Sequence, residues 1–163
     1  MDASSEKDKH AIMTLQPRIP AGSLAFAEIP AGMLDDSGSF AGGAAKEIKE
    51  ETGLEVKDED LLDMTALALS DDPQETSGEQ LQKAIYPSAG GCDEFIPIFL
   101  YQKRIPRQQL QEWQGKLTGL RESGEKITLK LVRLEDLWRE GVRDAKALGA
   151  WAMYEGLRRA GKI

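Results

Sequence analysis

A chain of 163 residues with 40% hydrophobic and 30% charged side chains is long enough for one globular domain with a real core. Its formal net charge of -7 argues against a binder of nucleic-acid polymers, which carries a basic field, and no run of Lys and Arg makes such a field locally. No apolar stretch approaches the length of a membrane span, and the polar, acidic start "MDASSEKDKH" reads as neither signal nor transit peptide, so a cytoplasmic location and no membrane partner are expected. Cys92 is the only cysteine, which rules out an intramolecular disulfide and suits a reducing compartment. His10 is the only histidine, so triad chemistry is not expected and charge chemistry falls to carboxylates, arginines and lysines. If such an acidic chain handles phosphates, it needs a cation.

Residues 1–10 read as a polar tail and residues 11–163 as one domain without repeats or linkers. Strand-like runs fall at 11–16 and 23–29, followed by a helix at about 40–52. A further strand is expected at 61–70. The polar, turn-rich segment 70–91 is longer than an ordinary connection and reads as a surface loop or lid. Next come a strand at 95–102, a helix over 107–117, an alternating strand at 126–132 and a short helix at 134–141. The last helix, 143–161, puts Ala147, Leu148, Trp151, Ala152 and Tyr154 near the 3.6-residue period, with Gly161 as a stop signal. The class is α/β. Trp113, Trp138 and Trp151 sit at helical spacing among apolar neighbours and are assigned to core or dimer contact, whereas Tyr86 beside the long loop is the stacking candidate.

The chemistry concentrates in "IPAGMLDDSGSFAGGAAKEIKEETGL", residues 29–54. Ser39 is placed to cap the helix, Gly53 to take the left-handed position after it, and Leu54 to supply the apolar contact that follows. Ala44, Ile48 and Thr52 share one stripe, while Glu47, Glu50 and Glu51 project together from another. Like charges at i, i+3 and i+4 repel by a few tenths of a kcal/mol per pair, so something positive compensates them. An oxygen-rich cluster suits Mg²⁺ or Mn²⁺. Taken alone, "KEIKEE" reads first as a solvated helix face.

Gly32, Glu47, Ile48, Glu50, Glu51, Gly53 and Leu54 stand at the offsets of the Nudix box, G-x5-E-x7-R-E-U-x-E-E-x-G-U with U apolar. Two positions depart: Gly38 replaces the first Glu, with Asp35 and Asp36 nearby, and Lys46 replaces Arg, keeping charge without the bidentate fork. Outside the box, "QPRIPAGSLAFAEIPAGMLDD", "YPSAGGCDE", "GKLTGLRESGEKITLKLV" and "LWREGVRDAKAL" together resemble the ADP-sugar diphosphatase branch of the Nudix superfamily.

That resemblance implies an α/β/α sandwich around a mixed sheet, a homodimer, Mg²⁺ dependence, and hydrolysis of ADP-ribose or ADP-glucose to AMP and a sugar phosphate. By the same resemblance Glu47, Glu50 and Glu51 hold metal, the Ala31 carbonyl is an additional ligand, and Glu125 serves as general base, with Glu50 also counted among the catalytic groups. Arg18 is placed toward phosphate, Glu28 toward ribose or base, and Glu94 near substrate. Family members carry an apolar strand before "QPR", where this chain has "MDASSEKDKH", so an exposed sheet edge is expected there. Two further readings stay open: a non-catalytic nucleotide-binding module, and a pyrophosphatase for another nucleoside diphosphate derivative.

Overall fold

A computed structural model describes residues 8–32, 39–70, 81–120 and 124–163. The main sheet has four strands in the order β2-β1-β6-β5, formed by β1 (His10–Arg18), β2 (Ser23–Glu28), β5 (Leu117–Thr118) and β6 (Ile127–Arg133). A second sheet pairs β3 (Leu62–Asp63) with β4 (Phe99–Leu100). The helices are α1 (Phe40–Thr52), α2 (Met64–Ala68), α3 (Arg107–Trp113), α4 (Leu137–Glu140) and α5 (Ala145–Arg159). A 3-10 turn at Ile19–Ala21 joins β1 to β2, and Gly22 closes it at φ 68°, a left-handed conformation that glycine adopts without a Cβ penalty.

The alternation of β1 sorts its side chains between two helical layers. Ala11 and Met13 point to one face, where Met13, Val132 of β6, Leu137 of α4 and Ala147 of α5 form a buried cluster with Trp151 against it. Thr14 and Gln16 point to the other, where Gln16 reaches Glu51 of α1. The sheet therefore lies between α1 and α5, which is the three-layer α/β arrangement. Met13 and Leu129, at 0% and 1% exposed, are each worth about 1.5–3 kcal/mol of burial. A second cluster of Met64, Ile98, Tyr154 and Leu157 fixes α2 and β4 against the outer part of α5.

Several elements differ from the sequence reading. Every described strand pairing is antiparallel, where a mixed sheet is implied by the resemblance. Lys9 and His10 belong to the domain rather than the tail: His10 pairs with Arg133, and the Lys9 carbonyl accepts the Leu134 N–H at 2.9 Å. β1 has a partner on each side, so the described sheet edges are β2 and β5. The strand expected at 61–70 lasts two residues and becomes α2, because Asp63 Oδ1 accepts the Ala66 N–H at 2.8 Å and caps an Ala- and Leu-rich turn. The run 95–102 pairs as a ladder only at Phe99–Leu100, with Ile96 making one bridge back to Ile85; Pro97 has no N–H to extend it. Residues 107–117 are helical only to Trp113, after which Gly115 turns the chain at φ 74° and Leu117–Thr118 joins the sheet. Of the expected lid, residues 71–80 lie outside the described residues, and Ile85 is packed against the second apolar cluster.

Candidate active site

The termini of α1 form as the sequence directs. Ser39 Oγ accepts the Gly42 N–H at 3.0 Å, and Gly53, at φ 75°, donates its N–H to the Lys49 carbonyl at 2.8 Å. Between these caps the helix presents Glu51 to the sheet and Glu47 to the 29–32 segment. Glu51 is only 6% exposed. Its Oε1 accepts from Gln16 Nε2 and its Oε2 from the Ala31 N–H, both at 3.2 Å, while its backbone carbonyl accepts from Thr118 Oγ1.

Burial pushes the Glu51 carboxyl up to about 7, with the Gln16 and Ala31 hydrogen bonds pulling it back and the charges of Glu47 and Glu28 raising it further. Glu47 lies against the Gly32 backbone: a Cβ on residue 32 would stand 1.8 Å from its carboxyl carbon, so only glycine permits this approach without moving the acid. Glu50 is half-buried on the flank of the same helix.

A second charged cluster sits where β2 ends and α5 begins. Glu28 is 2% exposed, with Oε1 taking Arg18 Nε at 2.7 Å and Oε2 taking Lys146 Nζ at 3.3 Å. Asp144 Oδ1 accepts Lys146 Nζ at 2.8 Å, and its Oδ2 accepts the Ile29 N–H at 3.2 Å. Burial opposes the charge on Lys146, yet Asp144 and Glu28 outweigh it and hold the ammonium above its usual range. Both oxygens of Glu28 are spent on cations, so in this conformation the group of this cluster that reaches solvent is Arg18, whose side chain is 43% exposed. Lys146→Ala leaves Glu28 and Asp144 with less countercharge; a loss of about 3 kcal/mol in denaturant unfolding is expected, and a loss under about 1 would mean the cluster is solvated.

The structure thus brings Ala31, Glu47 and Glu51 together and ties Arg18 to Glu28. It places Glu125 in the turn between β5 and β6, exposed, with Oε2 accepting the Leu120 N–H at 3.2 Å. Glu94 is exposed beside Phe95, whose ring meets Phe40 of α1 edge-on at 6.1 Å. Asp35, Asp36 and Gly38 lie outside the described residues. Sequence reasoning passed over Gln16, Thr118, Asp144 and Lys146. Gln16 stands in "QPR" and the last two in "RDAKAL", both quoted for the resemblance, but nothing in local spacing joins residue 28 to residue 146.

Among the described residues, no three His, Cys, Asp or Glu side chains are already gathered as a metal cage. The donors that do meet are oxygens only, with Glu47 beside the buried Glu51, and carboxylate oxygens of this kind suit a hard divalent cation. In donor chemistry the site fits such an ion.

Fold, capped acidic helix and Gly32 contact define a Nudix domain, and the chain belongs to that family: residues 4–155 match the NUDIX domain. It is 41% identical over 160 residues, 98% of its length, to Nudix hydrolase 14, chloroplastic, of Arabidopsis thaliana. The match takes in 48% of that protein, so the chain spans about half the length of this relative. Among the described residues, no helix is long and apolar enough to cross a membrane.

Proposed function

We propose that the chain hydrolyses the pyrophosphate bond of ADP-sugars such as ADP-ribose and ADP-glucose, giving AMP and a sugar phosphate with Mg²⁺ or Mn²⁺ as cofactor. The observation that carries this reading is the buried Glu51 beside Glu47, held by Ala31 and Gln16 on a capped helix under Gly32. Glu47 and Glu51, with Glu50 and the Ala31 carbonyl, would hold the cation. When bound, a divalent cation neutralises pyrophosphate oxygens and polarises phosphorus. Arg18, braced by Glu28 and Lys146, offers its guanidinium to a phosphate. Glu125 is the carboxylate outside the acidic helix and takes the proton of the attacking water, since an acid that shares its charge with a metal is a poor base. Glu94 lies on the substrate side.

The relative's name as a hydrolase supports turnover, while Gly38 at a box position for Glu favours the rival reading of a nucleotide-binding module without catalysis. We assign no nucleic-acid polymer or membrane as partner, and propose a homodimer. The cytoplasm is the proposed location; the word chloroplastic in the relative's name makes the plastid the alternative, and cell fractionation separates the two.

The deciding experiment incubates pure protein with ADP-ribose, ADP-glucose, UDP-glucose and nucleoside triphosphates plus Mg²⁺, and identifies products by mass spectrometry in ¹⁸O-water. Label in AMP or the sugar phosphate, the highest kcat/KM on ADP-sugars, and loss of turnover in excess EDTA are expected. A preference for triphosphates overturns the substrate class. Undiminished turnover in EDTA overturns the metal, and no turnover on any compound leaves the binding module.

A further inference from the structure

Phe40, Glu47 and Glu51 fall on one stripe of α1, at i, i+7 and i+11, with Gly43 and Ala44 between the ring and the acids. Phe40 also lines a cleft of about 210 Å³ together with Phe95, Pro97, Asp63 and Ala84. The Phe40 and Phe95 rings meet edge-on at 6.1 Å, and Tyr86 backs Phe95 at 6.5 Å, its hydroxyl accepting the Gln82 N–H at 3.1 Å. One wall of the cleft is therefore aromatic and braced from behind. The rise of the helix puts this wall about 10 Å from Glu47 along the axis, comparable to the separation of a nucleobase from the pyrophosphate of an extended nucleotide. Asp63 adds a polar edge: Oδ1 is committed to Thr65 and Ala66 in the first turn of α2, and Oδ2 has no hydrogen-bond partner among the described residues.

We propose that this cleft is the nucleobase subsite, with the aromatic wall of Phe40 and Phe95 contacting one face of the base and Asp63 Oδ2 accepting from an exocyclic amine. It rests on the reading that a pyrophosphate binds at Glu47 and Glu51. Aromatic contact is available to every base, whereas a carboxylate acceptor favours adenine over uracil, which has no exocyclic amine and turns a carbonyl toward the same acid.

Calorimetric titration of the full chain with AMP, UMP and Mg²⁺-pyrophosphate tests it separately from turnover. AMP is expected to bind more tightly than UMP to the parent, and Phe95→Ala to weaken AMP about tenfold while pyrophosphate affinity stays within about twofold. Phe40→Leu, at a position 39% exposed, repeats the test where Phe95→Ala fails to fold. AMP affinity unchanged in the folded variants, or no AMP binding to the parent at millimolar concentration, overturns the subsite. Phe95-dependent AMP binding without hydrolysis of any ADP-sugar sinks the hydrolase reading alone, and hydrolysis with Phe95-independent AMP binding sinks the subsite alone.

Discussion

Glu51→Gln protein at pH 8 is expected to melt several degrees above the parent when both are metal-free, while with Mg²⁺ present its turnover falls by more than 100-fold. The two effects have one cause. In the parent a carboxylate 6% exposed must ionise beside Glu47 and Glu28, and its carboxyl stands at about 7 against 4.5 for the free group. That difference makes ionisation cost about 3 kcal/mol of stability once the pH is above both values, and each kcal/mol is worth about 2–4 °C in a domain of this size. Glutamine keeps the shape and an oxygen to accept the Ala31 N–H, and it never ionises. Turnover is expected to respond oppositely: in the proposed site Glu51 holds the metal, and losing that oxygen exceeds the roughly 10- to 100-fold cost of losing an outer partner. Differential scanning calorimetry and the product assay together decide it. A variant that melts lower than the parent would make Glu51 a structural acid satisfied by Gln16 and Ala31.

Stability of the parent without metal is expected to fall as pH rises from 4.5 to 8, and Mg²⁺ to flatten that slope. The sign follows from the direction of the shift: the folded state holds its proton more tightly than the unfolded chain, so the contribution is fully present below about 4.5 and is lost as pH rises through about 7. A cation bound to the ionised form competes with the proton and restores stability at the upper end. Melting temperatures across this range, with EDTA or with Mg²⁺, are the measurement. Glu51→Gln should lose most of the pH slope; a parent curve that rises with pH would contradict the assignment.

What the sequence made legible was local. Ser39, the glutamates and Gly53 specify α1 and its ends by themselves, because capping and helical period act within a few residues. The alternation in 126–132 likewise marks β6. At 61–70, apolar residues fit strand and helix alike, and a single carboxylate, Asp63, tips the run into α2. The environment of each acid was not legible at all. Glu51 is buried because Gln16, Ala31 and Thr118 close over it, and Glu28 is neutralised by a lysine 118 residues away. Motif spacing names those acids, while only tertiary contact sets their charge.

The pairing of Glu28 with Lys146 also orders events during synthesis. Its two halves are separated by 118 residues, and at ribosomal elongation rates the lysine follows the glutamate by on the order of ten seconds. β1 waits in the same way, since its partner β6 starts at Ile127. Until then Glu28 lacks its lysine, and β1 has β2 alone as a sheet partner among the described strands. Contacts of such long sequence separation slow folding. The docking of α5 is the step that commits Glu28 to the interior, so this site is assembled from its last-made part.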